Sequence, residues 1–260
     1  MTIFELKCFG IRPGEGNAAL VLRDDQRDAA WRQAFAKASQ RSACVFIDAG
    51  GEGAAWTLDY FYPHLRSPLC LHATLAAARV LLADTDGPLT VRTALRGQPL
   101  TLTRQGDGVF ISLQRQPVPP LTVAPELVAQ LLHAPGLALP TPPALASVGS
   151  PKLLVEVADS ATLQALRPDL AAITAWGQAH GVSGIYAWCR RPDGAFEGRN
   201  FNHLDPALED SATGVAAGAL SLHLQRSLDL YQGSNVGQPC LLRTRLEGER
   251  ILIGGRAEFV

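Results

Sequence analysis

The chain of 260 residues (27.7 kDa) is 47% hydrophobic and 18% charged, which excludes a disordered polymer and leaves no need for disulfide staples. Lys and Arg number 23 against 24 Asp and Glu, a net charge of −1, so no basic excess directs it to nucleic acid or an anionic membrane. The five cysteines (Cys8, Cys44, Cys70, Cys189, Cys240) are odd in number and contain no C-x-x-C pair, which argues against a zinc cage and a secreted disulfide scaffold. Glu5 and Lys7 interrupt the stretch that a signal peptide needs to be apolar, and Arg79 breaks the apolar run LAAARVLLA. A soluble, cytoplasmic protein is the expectation.

Alternating residues predict strands over 3–9 and 18–24, joined by the turn RPGEGN. Trp31, Ala34, Phe35 and Ala38 recur at helical spacing and predict a helix over 27–39. Strands follow at 43–48 and 55–63, then a helix over 72–84 stopped by the turn at 84–88. The runs 89–95, 98–105 and 108–114 read as an antiparallel meander, and the proline-dense segment 117–125 as a linker. Beyond it come a short helix (125–134), a strand within 146–159 and helical material over 163–181 broken at Pro168. A strand over 184–192, a loop over 194–214, a second small-residue helix over 214–228 and strands at 240–247 and 250–260 complete the chain. His72 and Thr213 open the two Ala-rich helices about half a chain apart. This repetition predicts two similar halves, 1–120 and 121–260; a single α+β domain with two ordinary Ala-rich helices is the alternative.

The segment LEDSATGVAAGALSLHL carries the sharpest chemical signal. The acidic pair Glu209-Asp210 precedes a turn of small residues and a helix whose first positions lack bulk. Free N–H groups and the positive end of the dipole make such a helix start a carboxylate or phosphate site, and Gly214 admits close approach. An ordinary capped helix with acidic residues at its N-terminus fits the same residues. No Gly-Lys-Ser/Thr follows, so the segment is not a P-loop.

EDSATGVAAGAL resembles the E-D-P-A-T-G-S-A-A-G-A-L signature of the phenazine-biosynthesis PhzF-like family, in the diaminopimelate-epimerase superfamily. GNAALVL (16–22), FYPHLRSPLCLHATLAAA (61–78), SVGSPKLLVEV (147–157), QGSNVGQPC (232–240) and IGGRA (253–257) are similar to other family segments in the family's order. The resemblance implies an α+β fold of two pseudo-symmetric halves, each a curved, mostly antiparallel sheet wrapped around a central helix. It implies isomerisation by proton transfer on a small carboxylate-bearing metabolite with no cofactor and no metal; the best-known member acts on a dihydro-hydroxyanthranilate. Self-association as a homodimer is expected by the same analogy.

Carried over by position, the family's histidine falls on His72 and its aspartate on Asp210, as the proton-handling pair. Asn17, Ala73, Thr213 and Gly214 take the substrate-binding places. The family's acid/base glutamate falls on Ala43, which can neither take nor give a proton. Leu71, Arg66, Ser211 and Val215 also depart from the motif, and all five changes are expected at the cleft. Related epimerases use thiols. Cys70 and Cys44 stand one residue from the relevant places, an offset expected to turn each side chain away. His64, Cys70 and His72 lack standard metal-ligand spacing. Two functions remain: an isomerase with a changed site, or a catalytically silent relative that binds a small anion or a protein partner.

Overall fold

The computed structural model describes residues 1–51, 53–83, 85, 87–202 and 209–260. The chain divides into two compact units, Met1–Leu113 with Ile253–Val260, and Gln114–Leu252. The first unit contains β1 (Thr2–Phe9), β2 (Gly16–Arg23), α1 (Ala29–Ser39), β3 (Ala43–Ala49), β4 (Trp56–Phe61), β5 (Arg66–Ser67), α2 (Leu71–Leu81), β6 (Leu89–Thr93), β7 (Pro99–Gln105) and β8 (Gly108–Gln114). The second contains α3 (Pro125–Leu131), β9 (Ala144–Ala146), β10 (Lys152–Glu156), α4 (Ser160–Ala165), α5 (Leu170–His180), β11 (Gly184–Arg190), β12 (Phe196–Asn202), α6 (Gly214–Leu224), β13 (Asp229–Gln232) and β14 (Cys240–Glu247). β15 (Arg250–Gly255) carries the chain back to the first unit, where β16 (Ala257–Phe259) pairs with β1.

The two units repeat one topology. β1 to β4, then β6 and β7, pair in the order antiparallel, parallel, antiparallel, parallel, antiparallel. β9 to β14 pair in the same order. The connection across the second parallel step is α2 in the first unit and α6 in the second. Each is central to its unit: ten of the eleven residues of α2 and eight of the eleven of α6 are buried. Ala is the commonest residue of α2, and Ala with Gly makes up five of the eleven residues of α6, because a helix packed this closely favours small side chains. The fold is therefore α+β, two pseudo-symmetric halves built on mostly antiparallel sheets with a central helix each.

The period of two along each strand separates two faces. In the first unit Leu20, Leu22, Cys44, Phe46 and Phe61 form an outer cluster with Ala36, Trp31 and Phe35 of α1. Their neighbours Ala19, Val21, Ala43 and Val45 lie on the opposite, inner face, against which α2 packs. In the second unit Leu153, Val155, Ile185, Ala187, Cys189 and Phe201 face outward onto residues of α3, α4 and α5. Lys152, Leu154, Tyr186, Trp188 and Asn200 alternate with them and face the side of α6.

The helical segment broken at Pro168 is two helices, α4 and α5. Residues 196–202, expected within a loop, form β12, and the short strands β9 and β13 were not anticipated. The final segment is two strands instead of one, hinged at Arg256, whose carbonyl accepts from the Phe9 N–H at 2.8 Å. The turn expected at 84–88 and the loop expected over 194–214 lie partly outside the described residues. Among the described residues, no helix is long and apolar enough to cross a membrane.

Candidate functional site

The helices differ in how their N-termini are satisfied. α1, α4 and α5 begin with Asp28, Asp159 and Asp169, whose carboxylates accept from the N–H groups of Trp31, Thr162 and Ala172 at 2.7–2.9 Å. The central helices α2 and α6 have no side-chain cap. Their first intrahelical bonds of the α type run from Thr74 N–H to Cys70 O (2.8 Å) and from Ala217 N–H to Thr213 O (3.1 Å). The N–H groups of Leu71, His72 and Ala73, and of Gly214 and Val215, therefore have no carbonyl one turn back to bond. The starts of α2 and α6 each stand in a group of buried polar side chains.

In the first unit that group is built from Tyr60, Cys70, His72 and Thr74. The Tyr60 and Thr74 hydroxyls are 2.7 Å apart, and Thr74 Oγ1 donates to Cys70 O at 2.8 Å. Cys70 Sγ lies 3.3 Å from His72 Nδ1. The expected turning-away of Cys70 is thus corrected: extended backbone at this helix-capping position (φ −141°, ψ 103°) directs the thiol back to the imidazole. Burial alone pulls the His72 pKa down to about 4, so the ring is neutral at physiological pH. Asn17, 2% exposed, lies on β2 at the same alternation as Ala19 and so on the inner face; among the described residues its Oδ1 has no hydrogen-bond partner. Gly16 before it has φ +107°, and a Cβ there would meet Cys8 O at 2.4 Å, so the backbone entering this site demands glycine.

The lowered His72 pKa has a stability consequence with a definite sign. Between the ordinary value of 6.5 and about 4 the unfolded chain binds a proton that the folded chain refuses, so stability is complete above 6.5 and is lost as pH falls. Wild type is expected to lose about 2 kcal/mol more than His72→Gln between pH 7 and pH 5, measured by urea denaturation at both. Parallel losses in the two proteins would show that His72 titrates normally.

In the second unit the group surrounds Asp210. Thr213 Oγ1 donates to Asp210 Oδ2 at 2.5 Å. Gln232 then ties the turn together: its Nε2 donates to Asp210 O (2.7 Å) and Thr213 Oγ1 (3.1 Å), while its Oε1 accepts from Thr213 N–H (3.3 Å) and Tyr186 Oη (3.0 Å). Gly233, at φ +88°, lets the chain turn beside it; a Cβ would meet Ser211 O at 2.6 Å. Asp210 forms a bridge to Asn200, a residue with no exposure and, among the described residues, no partner for either amide atom. Asp210 itself keeps a partial opening to solvent. Desolvation pushes its pKa up, against the Thr213 hydrogen bond and the Lys152 charge, which pull it down. Glu209 serves the framework instead. Arg199 grips it at 3.0 and 2.7 Å and donates to the carbonyls of Leu163 and Leu166, at 2.9 and 3.0 Å.

The structure brings Asp210, Thr213 and Gly214 together in the second unit. In the first it sets His72 and Ala73 in the opening turn of α2 and Asn17 on the inner face against which that helix packs. Ala43 is 1% exposed and pairs with Ala19 on that same face. Cys44 beside it faces the outer cluster, 3.6 Å from Ser39 Oγ, with its thiol pKa raised by burial. Arg66 corrects the expectation that all five departures gather at the cleft: it grips Asp59 at 2.8 and 3.0 Å, on the face where Asp59 also meets Arg32. Tyr60, Tyr186, Asn200, Gln232 and Lys152 were missed by sequence reasoning. Only the alternation of polar residues with the apolar outer face marks the strand members of this set. Among the described residues, no three His, Cys, Asp or Glu are grouped to hold a metal.

The family model "Phenazine biosynthesis-like protein" (PhzC-PhzF) matches residues 6–260. An uncharacterized isomerase of Pseudomonas aeruginosa, PA3578, is 30% identical over 98% of this chain and 95% of its own length. The trans-2,3-dihydro-3-hydroxyanthranilate isomerase of Pseudomonas chlororaphis is 29% identical over 94% of this chain and 89% of its own. Among solved structures, a predicted epimerase of Pseudomonas aeruginosa, PA4716, superposes with a TM-score of 0.82 at 25% identity, covering 99% of this chain and 96% of the other. A hydroxyproline epimerase from Agrobacterium vitis shares the fold with a TM-score of 0.60 at 13% identity, covering 99% and 90%.

Proposed function

Because the chain belongs to the phenazine biosynthesis-like (PhzC-PhzF) family, we propose that it is a cofactor-independent isomerase that moves a proton on a small carboxylate-bearing metabolite. The observation that carries the reading is the contrast in capping. The two buried central helices begin without a side-chain cap, amid polar side chains, while the peripheral α1, α4 and α5 are capped by aspartate and α3, also uncapped, opens on Pro125, which has no N–H to satisfy. Helix starts of this kind bind carboxylates and oxyanions through N–H groups fixed before the ligand arrives. Ala73 and Gly214 supply such N–H groups, Asn17 supplies a polar side chain, and Thr213, its own N–H given to Gln232, frames the start of α6. Asp210 is the proton-handling carboxylate. His72, neutral and held against Cys70, is a hydrogen-bond partner that can donate or accept without carrying charge. The reading places the protein in the cytoplasm, as a homodimer, by analogy with the family.

Ala43 favours a second reading, a silent relative that binds a small anion or a protein partner, because no side-chain proton carrier stands there. The test is solvent exchange in D₂O followed by NMR. A panel of small cyclic hydroxy- and amino-acids, including trans-2,3-dihydro-3-hydroxyanthranilate, is offered to wild type and to Ala43→Glu. Deuterium uptake by wild type is the expected result. Uptake by Ala43→Glu alone would establish the binding protein in its place: a preserved site without its base.

A further inference from the structure

Lys152 opens β10 directly after Pro151 and is 1% exposed, an unusual place for an ammonium group. Its Nζ donates to Ser183 O at 2.6 Å, and no carboxylate stands within ion-pair distance among the described residues. A buried ammonium has three N–H groups to satisfy and pays heavily for the charge unless something nearby offsets it. Lys152 stands on the α6 side of the sheet, two residues before Leu154, which pairs with Tyr186, which in turn pairs with Asn200, the bridge partner of Asp210. Among the described residues, the anion whose field reaches Lys152 is Asp210.

We propose that Lys152 is a positioning residue for Asp210, a buried cation whose charge holds the Asp210 carboxylate in the form that accepts a proton. The inference rests on the reading of Asp210 as the proton-handling group. Both members need the other. Burial drives Lys152 toward its neutral amine, to about 7, with Asp210 opposing the shift; burial drives Asp210 toward its neutral acid, with Lys152 opposing it. The ammonium therefore favours the carboxylate and the carboxylate favours the ammonium, so loss of either charge weakens the other. A proton taken from substrate turns the carboxylate into the acid and leaves the ammonium without its counter-charge, which favours the proton's return.

Other charges around the couple are already engaged. Glu209 is bound by Arg199, and Glu197 by Gln164 with Arg191 at 3.7 Å. Tyr186 Oη donates to Gln232, and burial raises its pKa well above the ordinary value, so it stays neutral. On β10 itself, Glu156 accepts from Thr141 and Arg190, at 2.8 and 3.0 Å. From α6, which packs against β10, the only ionisable residue is His223, in its last turn, where it faces Glu156.

The test needs no substrate, so its failure and the failure of the isomerase reading are distinguishable. The chain has three lysines, and Lys7 and Lys37 are partly or fully exposed, so a ¹³Cε-lysine NMR titration isolates Lys152. In Asp210→Asn the Lys152 midpoint is expected to fall by about one pH unit. In Lys152→Met the Asp210 midpoint, followed by ¹³C-aspartate labelling as the signal absent from Asp210→Asn, is expected to rise by the same amount, because coupling between two sites is reciprocal. Loss of a merely structural contact would not produce equal and opposite shifts. A Lys152 midpoint unchanged in folded Asp210→Asn, or one that coincides in wild type with those of Lys7 and Lys37, would overturn the proposal. Should Lys152→Met fail to fold, the Asp210→Asn titration decides alone.

Discussion

Arg32→Met is expected to cost about 3–5 kcal/mol of stability, the usual loss when one partner of a buried ion pair is removed and the other remains. Arg32 stands on α1, is 6% exposed, and binds three carboxylates from three segments of the first unit. Asp48 at the end of β3 takes two bonds of 2.7 Å, Asp25 a bond of 3.2 Å and Asp59 of β4 one of 3.3 Å. The guanidinium plane also lies 4.6 Å from the centre of the Phe46 ring. Its pKa is raised, first by the Asp48 hydrogen bond, so it is charged at any pH at which the protein folds. Methionine fills much of the volume and supplies none of the charge. Arg27 still serves Asp25 and Arg66 still serves Asp59, so the loss falls mainly on Asp48 and on the α1 contact. Lysine at position 32 restores the charge but not the planar fork, and is expected to recover only part of the deficit. Urea midpoints of the three proteins measure this. If Arg32→Met and wild type unfold at the same midpoint, the network is decoration on a sheet held by its apolar layers alone.

This network also marks where reading the chain as a sequence succeeds and where it stops. The two Ala-rich helices were legible because a helix buried on most of its faces favours small residues, and that leaves a compositional trace. Pro168 was legible because it removes a donor and blocks the preceding turn. Asp210, Thr213 and Gly214 were legible through a motif continuous in sequence. The return of the chain at residues 252–253 was not, since a strand reads the same whichever unit it joins. Arg66 looked like a site residue because of its neighbours in sequence, yet period two along β4 puts its partner Asp59 on the outer face, opposite Tyr60. Lys152 and Tyr186 are single polar interruptions in apolar strands. Such a residue is legible as inward-facing, but what it meets there depends on β12, β13 and the turn before α6, which are far away in sequence. Cys70 depended on one backbone angle at a helix cap, which residue identity does not determine.

Asp210→Asn is expected to lower the rate of solvent exchange into any substrate found by about 10²–10⁴-fold, the scale of a positioned proton carrier. The substitution keeps the shape, and the asparagine oxygen can still accept from Thr213 Oγ1, so the α6 start should survive and Gln232 should keep its contacts. What disappears is the ability to hold a proton, and with it activity at every pH. Thr213→Val separates this from a binding defect. It removes the hydrogen bond that lowers the Asp210 pKa and leaves the carboxylate in place. Activity that requires ionised Asp210 rises as pH passes its pKa, so raising that pKa moves the rising limb to higher pH while the plateau is largely retained. Loss of the plateau in Thr213→Val with no movement of the limb would make Thr213 a ligand contact instead. Wild-type exchange by Asp210→Asn would take Asp210 out of the proton transfer, leaving its buried partners to account for a carboxylate with no chemical role. The two variants thus ask separate questions of one side chain, whether it carries the proton and what sets the pH at which it does so.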